Sequence, residues 1–184
     1  MTNSKAPFRD CIADERLRAV ADVWWQCRVA DPVPYWPRMP RVVLRPLLPA
    51  VLLCRYSAAE ASFQIETLTD DLSGLTRLPI NGKLIDSLLP PDKLPEAHAL
   101  LRSVIEGPAF EIIKVSDRAR LERGAIEERL LMPLRSRGRG APDLILMVYT
   151  HLDRRAAGWV PITQEELSVK HVPLAELESM KGSA

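Results

Sequence analysis

Cysteine is scarce in this chain of 184 residues, and the three present, Cys11, Cys27 and Cys54, are odd in number and widely spaced. A fully paired disulfide framework and a CxxC redox or zinc motif are excluded, and a reducing, cytoplasmic setting is expected. An excess of one charge is also missing, since 25 Lys and Arg stand against 24 Asp and Glu, mixed along the chain for a net +1. No single-sign field therefore steers the molecule toward nucleic acid or a membrane surface. No apolar run reaches the roughly 18 to 20 residues of a bilayer-spanning helix. The stretch from Met1 to Asp10 lacks the apolar core of an export signal. The expectation is a chain neither exported nor embedded.

Catalytic signatures are missing as well. There is no Gly-x-Ser-x-Gly elbow and no His-Glu-x-x-His pair, and Gly138-Arg139-Gly140 lacks the third glycine and the helix start of a phosphate loop. The expectation is that the chain is not an enzyme. Arg135, Arg137 and Arg139 share that loop and are read as a charged, solvated turn rather than a phosphate grip.

What is present describes one folded domain: 47% of residues are apolar and 27% charged, enough for a single core at this length. Leu17, Val20, Trp24 and Cys27 recur at helical spacing and predict a helix from about Asp14 to Arg28, with Asp14 as its cap. Trp25 falls outside that stripe, so one of the adjacent tryptophans, Trp24 or Trp25, is a candidate partner contact. Prolines at 32, 34, 37, 40 and 46 make Asp31 to Pro46 an extended strap. Strand patterns follow at Ala50 to Tyr56 and Ala61 to Leu68, joined by a loop from Ser57 to Glu60.

Asp70 to Leu89 is broken by Gly74, Pro79 and Gly82 into short helical turns. A longer helix begins after Asp92, with Leu94, His98, Leu101 and Ile105 on one stripe, and stops at Gly107-Pro108. Phe110 to Val115 is the third strand. Its adjacent Ile112 and Ile113 imply a bulge or burial of both faces. The last hairpin joins an alternating strand, which puts Ile126, Glu128, Leu130, Met132 and Leu134 on one face, to the doubly apolar Leu144 to Tyr149. A polar extension with a short helix near Leu174 to Met180 completes the chain.

Two strands, several helices and three strands resemble the PAS domain. The residues that carry the likeness are Trp24-Trp25, Pro37-Arg38, Leu47-Leu48-Pro49 and Leu130-Leu131-Met132-Pro133-Leu134, over about Leu17 to Leu152, and they resemble a single-domain bacterial PAS family. That resemblance implies an α+β fold, a five-stranded antiparallel sheet with helices on one face, plus an N-terminal helix and a C-terminal extension. The divisions are 1–49 for helix and strap, 50–152 for the core and 153–184 for the extension.

The resemblance also implies a stand-alone sensory or signalling module. Its space between helices and sheet would take a small apolar ligand, with Phe63, Ile65, His98, Leu101, Met132, Met147 and Tyr149 as the candidate lining. No cofactor is expected. Haem-binding PAS domains present a histidine from the longer helix, which makes His98 the candidate haem ligand. Light-sensing members need a cysteine that Asn81 to Leu89 lacks. A homodimer and an unidentified signalling protein are the expected partners, with no nucleic acid and no membrane. The competing reading is a protein-interaction or dimerisation module whose core is fully packed.

Overall fold

The computed structural model describes residues 8–28, 31–39, 50–67, 80–115, 128–149 and 167–179. Leu47-Leu48-Pro49, the turns expected at 70–79 and the end of the expected last helix at Met180 lie outside the described residues.

Six strands form one antiparallel sheet: β1 Ala50–Ser57, β2 Ser62–Thr67, β3 Ala109–Val115, β4 Glu128–Leu134, β5 Leu144–Tyr149 and β6 Leu167–Pro173. Their order is β2-β1-β5-β4-β3-β6. The helices are α1 Glu15–Gln26, α2 Leu94–Glu106 and α3 Leu174–Ser179. The α+β class holds, but the sheet has six strands rather than five. The sixth comes from the segment read as a polar extension, which pairs with β3 from Ala109↔Pro173 to Val115↔Leu167.

The N-terminal helix expected in addition to the helices on one face packs on the opposite face of the sheet. Side chains alternate across a strand, and β5 divides cleanly. Leu144, Leu146 and Val148 pack with Leu17, Val20 and Trp24 of α1, while Ile145, Met147 and Tyr149 pack with Leu101, Val104 and Ile105 of α2. Both faces are covered, as a strand apolar on both sides demands. The adjacent Ile112 and Ile113 divide in the same way, and β3 runs through them in unbroken register.

α1 forms where its stripe predicted. Asp14 caps it, accepting from Arg16 N at 2.7 Å and Leu17 N at 3.4 Å. Its contacts with Arg16 hold the Asp14 carboxyl below its ordinary range, the side-chain hydrogen bond being the largest influence. Glu128 on β4, only 3% exposed, accepts from Ala13 N at 2.9 Å and Asp14 N at 2.8 Å. The start of α1 is thus tied to the sheet by a buried carboxylate. At the other end, Trp24 Nε1 donates to Pro133 O at 2.8 Å. Pro133 lies past the last β3 pair, Glu111↔Leu131, where β4 is an edge on that side and tolerates proline.

Trp25 is buried within the chain too. Phe8 meets it edge-on at 6.2 Å, and the Arg28 guanidinium lies 3.4 Å from its ring centroid. The described part of the strap, residues 31–39, lies along the end of β4, where Trp36 N donates to Arg135 O at 2.9 Å and Arg135 N to Pro34 O at 3.0 Å, and it turns through a short 3-10 helix at Trp36–Arg38; residues 40–46 lie outside the described residues. Arg135 is therefore no solvated loop residue. It is 7% exposed and donates to Val33 O, Gly138 O and Asp31 Oδ2, while Arg137 and Arg139 stay exposed.

Candidate functional site

Between α2 and the sheet lies a cavity of about 320 Å³. Its floor crosses the sheet through Ile65 of β2, Cys54 of β1, Met147 of β5, Leu131 of β4 and Ile113 of β3. Its roof is Ala97, Leu100 and Leu101 of α2, with Ile85 and Leu89 beside them and Val169 at the β6 edge. The space has a sequence origin. Leu101, Val104 and Ile105 fill the C-terminal half of α2, whereas the inward position one turn earlier is Ala97. An alanine there leaves unoccupied the volume that a leucine at that position would fill.

Three charged side chains interrupt this apolar lining: Lys93, Glu96 and Arg129. Arg129 projects from the floor and is 8% exposed, its Cζ 5.5 Å from the ring centroid of Tyr149, its register partner on β5. Lys93 Nζ stands 3.8 Å from Asp92 Oδ2. Glu96 Oε2 is buried without a hydrogen-bond partner. Burial pushes the Cys54 thiol up to about 12, with the charge of Glu66 adding to the effect, so Cys54 is a neutral wall. Its Sγ meets Met147 Sδ at 3.2 Å. Burial also raises Tyr149 above its ordinary value, so its phenol stays protonated.

Of the seven expected lining residues, Ile65, Leu101 and Met147 line the cavity. Phe63 and Tyr149 belong to the apolar cluster around it without reaching the lining. Met132 is on the other face of the sheet: it pairs with Leu146 and packs under α1, while Met147 pairs with Leu131. The expected grouping of Met132 with Met147 is corrected by that register. Strand alternation already carried the signal, because Met132 shares a face with Leu130 and Leu134. Trp24 and Trp25, the candidate interface, are 0% and 4% exposed in the single chain.

His98 lies outside the lining. Asp92, expected as the cap of α2, makes no capping bond, because a short 3-10 turn, Pro91–Lys93, leads into the helix with Lys93 as N-cap. The inward face is thereby set by Ala97, Leu101 and Val104, and His98 stands beside it with Nε2 2.9 Å from Asp86 Oδ1. Its Nε2 is thus turned to Asp86, and the residue is not part of the cavity lining.

Asp86 also accepts from Ser62 Oγ at 2.8 Å. Serine, aspartate and histidine stand together, yet the carboxylate sits between the other two, and the imidazole has no contact through which to take the serine proton. The activated-nucleophile arrangement requires histidine in the middle. A second polar group joins Ser103 Oγ and His171 Nδ1 to Glu111 Oε1, at 2.9 and 2.6 Å, and clamps β6 and α2 to β3. Among the described residues no cluster of three His, Cys, Asp or Glu side chains is arranged to hold a metal ion.

Arg129, Glu96, Lys93 and Ala97 were not singled out from the sequence. Arg129 was legible in principle: it alternates with Leu130 onto the same face as Leu131, a charge at an inward position of a central strand. What the arrangement can do is bind, with apolar walls, a deep guanidinium and a carboxylate oxygen facing them. No protein-family model, curated protein or solved structure matches the chain. No helix among the described residues is long and apolar enough to cross a membrane.

Proposed function

We propose that this chain is a PAS-like sensory module that takes a small, mainly apolar molecule into the cavity beneath α2. The observation that carries this reading is the cavity itself, about 320 Å³ between helix and sheet, where the competing interaction module would be filled. Its size falls at the lower end of small-molecule sites, and at about 30 Å³ per water it corresponds to roughly ten waters. Support also comes from the order of elements: two strands, short turns, α2 and then β3, β4 and β5 follow the order implied by the PAS resemblance, with β6 added to the same antiparallel sheet.

A route for the response follows from β4. Arg129 and Leu131 face the cavity, while Leu130, Met132 and the carbonyl of Pro133 hold α1 on the opposite side. A ligand that moves β4 changes the seat of α1. It does so only to the extent that it binds the two arrangements with different affinity.

Titration of the purified chain with the uncharged fluorophore N-phenylnaphthylamine tests the reading. Saturable enhancement at one molecule per chain is expected. A weak, unsaturable signal would return the chain to the packed interaction module.

A further inference from the structure

We infer that Cys11 and Lys170 form an oxidation site, where a peroxide converts the thiol and the amine into a covalent S–N staple between β6 and the segment leading into α1. Lys170 Nζ stands 2.9 Å from Cys11 Sγ, although 159 positions separate the two residues. Reacting atoms held within about 3 to 3.5 Å meet the geometric condition for an intramolecular step. Among the described residues, Cys11 is the one cysteine with an amine at its sulfur.

The fold sets this contact from both sides. Lys170 is opposite Ile112 in the β3–β6 ladder, which puts it on the α1 face of the sheet, away from the cavity. Cys11 ends the 3-10 turn Arg9–Cys11 and packs against the same apolar cluster. Its neighbours are anchored, because Phe8 and Ile12 are buried and Glu128 holds the N–H groups of Ala13 and Asp14. A fixed turn thus presents the thiol. The pair opens on a recess of about 320 Å³ lined also by Asp10, Ile112 and Lys114, with Cys11 half-buried and Lys170 exposed. A peroxide, little larger than a water molecule, reaches the sulfur there. Lys114 stands 3.5 Å from Glu128 Oε1, which leaves Lys170 as the amine at the sulfur. Burial raises the thiols of Cys27 and Cys54, the latter to about 12, and so withholds the thiolate form that attacks peroxide.

The steps balance with hydrogen peroxide as the oxidant. The Cys11 thiolate attacks one peroxide oxygen, the O–O bond breaks, and a sulfenic acid and hydroxide form. Hydroxide takes a proton from the Lys170 ammonium and becomes water. The freed amine then attacks the sulfur: an S–N bond forms, the S–OH bond breaks, and the departing hydroxide leaves as a second water with the proton that the nitrogen gives up. Sulfenic acids close on a nitrogen in this way to give sulfenamides. Excess thiol reverses the link, returning the cysteine and the amine while the reagent is oxidised to its disulfide.

The test is peptide mapping of the full chain after a small excess of hydrogen peroxide. In monomeric wild type, tryptic peptide 10–16 should be joined to the peptide containing Lys170, with cleavage after Lys170 blocked. The joined pair should be lighter than the sum of its parts by two hydrogens, and dithiothreitol should separate it. Closing so long a loop should also raise the melting temperature by about 5 °C or more. Lys170→Arg should show neither the link nor the rise, its Cys11 continuing to the sulfinic acid, and Cys11→Ser should show no link. Wild-type Cys11 left as the thiol, or oxidised to the sulfinic acid while Lys170 is still cleaved, overturns the inference. So does a link that survives Lys170→Arg, one found only between two chains, or one that leaves the melting temperature unchanged.

Discussion

Asp86 gathers Ser62 Oγ at 2.8 Å and His98 Nε2 at 2.9 Å, binding β2, the turn at Ile85–Ser87 and α2 into one corner. Partial burial raises its carboxyl, but hydrogen bonds from Ser62 and His98 and the charge of His98 outweigh it, leaving the group below its ordinary 3.8. A depressed carboxyl contributes stability that is fully present above the unfolded value, near 3.9, and is lost as pH falls through the folded one. The melting temperature should therefore fall more steeply below about pH 4 in wild type than in Asp86→Asn. Parallel curves for the two proteins would show that the corner adds nothing to acid stability. His98 looked inward from the spacing of Leu94, Leu101 and Ile105. What the sequence did not disclose was the 3-10 turn that sets the phase of the helix, and with it a rim position for the imidazole.

Among elements, β4 joins both layers of the molecule and the strap. It accepts the start of α1 at Glu128 and the last turn of α1 at Pro133, carries Arg129 into the cavity, and meets the strap at Arg135. Glu128→Ala would leave the N–H groups of Ala13 and Asp14 without their buried carboxylate, at a loss of about 1 to 3 kcal/mol. The urea midpoint should fall accordingly. A change within about 0.5 kcal/mol, the range of ordinary surface substitutions, would assign the docking of α1 to its apolar stripe alone. That stripe was readable because Leu17, Val20 and Trp24 repeat at helical spacing and bury one face. β6 was not, because Ser168, Lys170 and His171 give it the polarity of a tail. Its pairing with β3 comes from a long-range backbone ladder that no local pattern announces.

At the scale of the whole molecule, one apolar strand makes the strongest demand. Leu144 to Tyr149 needed both faces covered, and α1 covers one while α2 covers the other. The sheet and its two layers were thus legible in hydrophobic pattern. The cavity was not, because its lining is gathered by tertiary packing from all six strands, from α2 and from the turns before it, with the small Ala97 among the helix residues that face it. Its charged residues escaped notice for a related reason: Lys93, Glu96 and Arg129 are ordinary surface types until the fold turns them toward one space. Arg135 misled in the opposite sense, since a loop arginine became a strut when the strap closed over it.

The central claim is that the space beneath α2 is a binding site. Uptake of N-phenylnaphthylamine by Ala97→Phe, compared with wild type, tests it most directly. The larger ring occupies the cavity, so saturable uptake should disappear while the melting temperature holds or rises, as cavity-filling changes often stabilise. Dye binding to a folded Ala97→Phe protein with wild-type affinity would contradict the account.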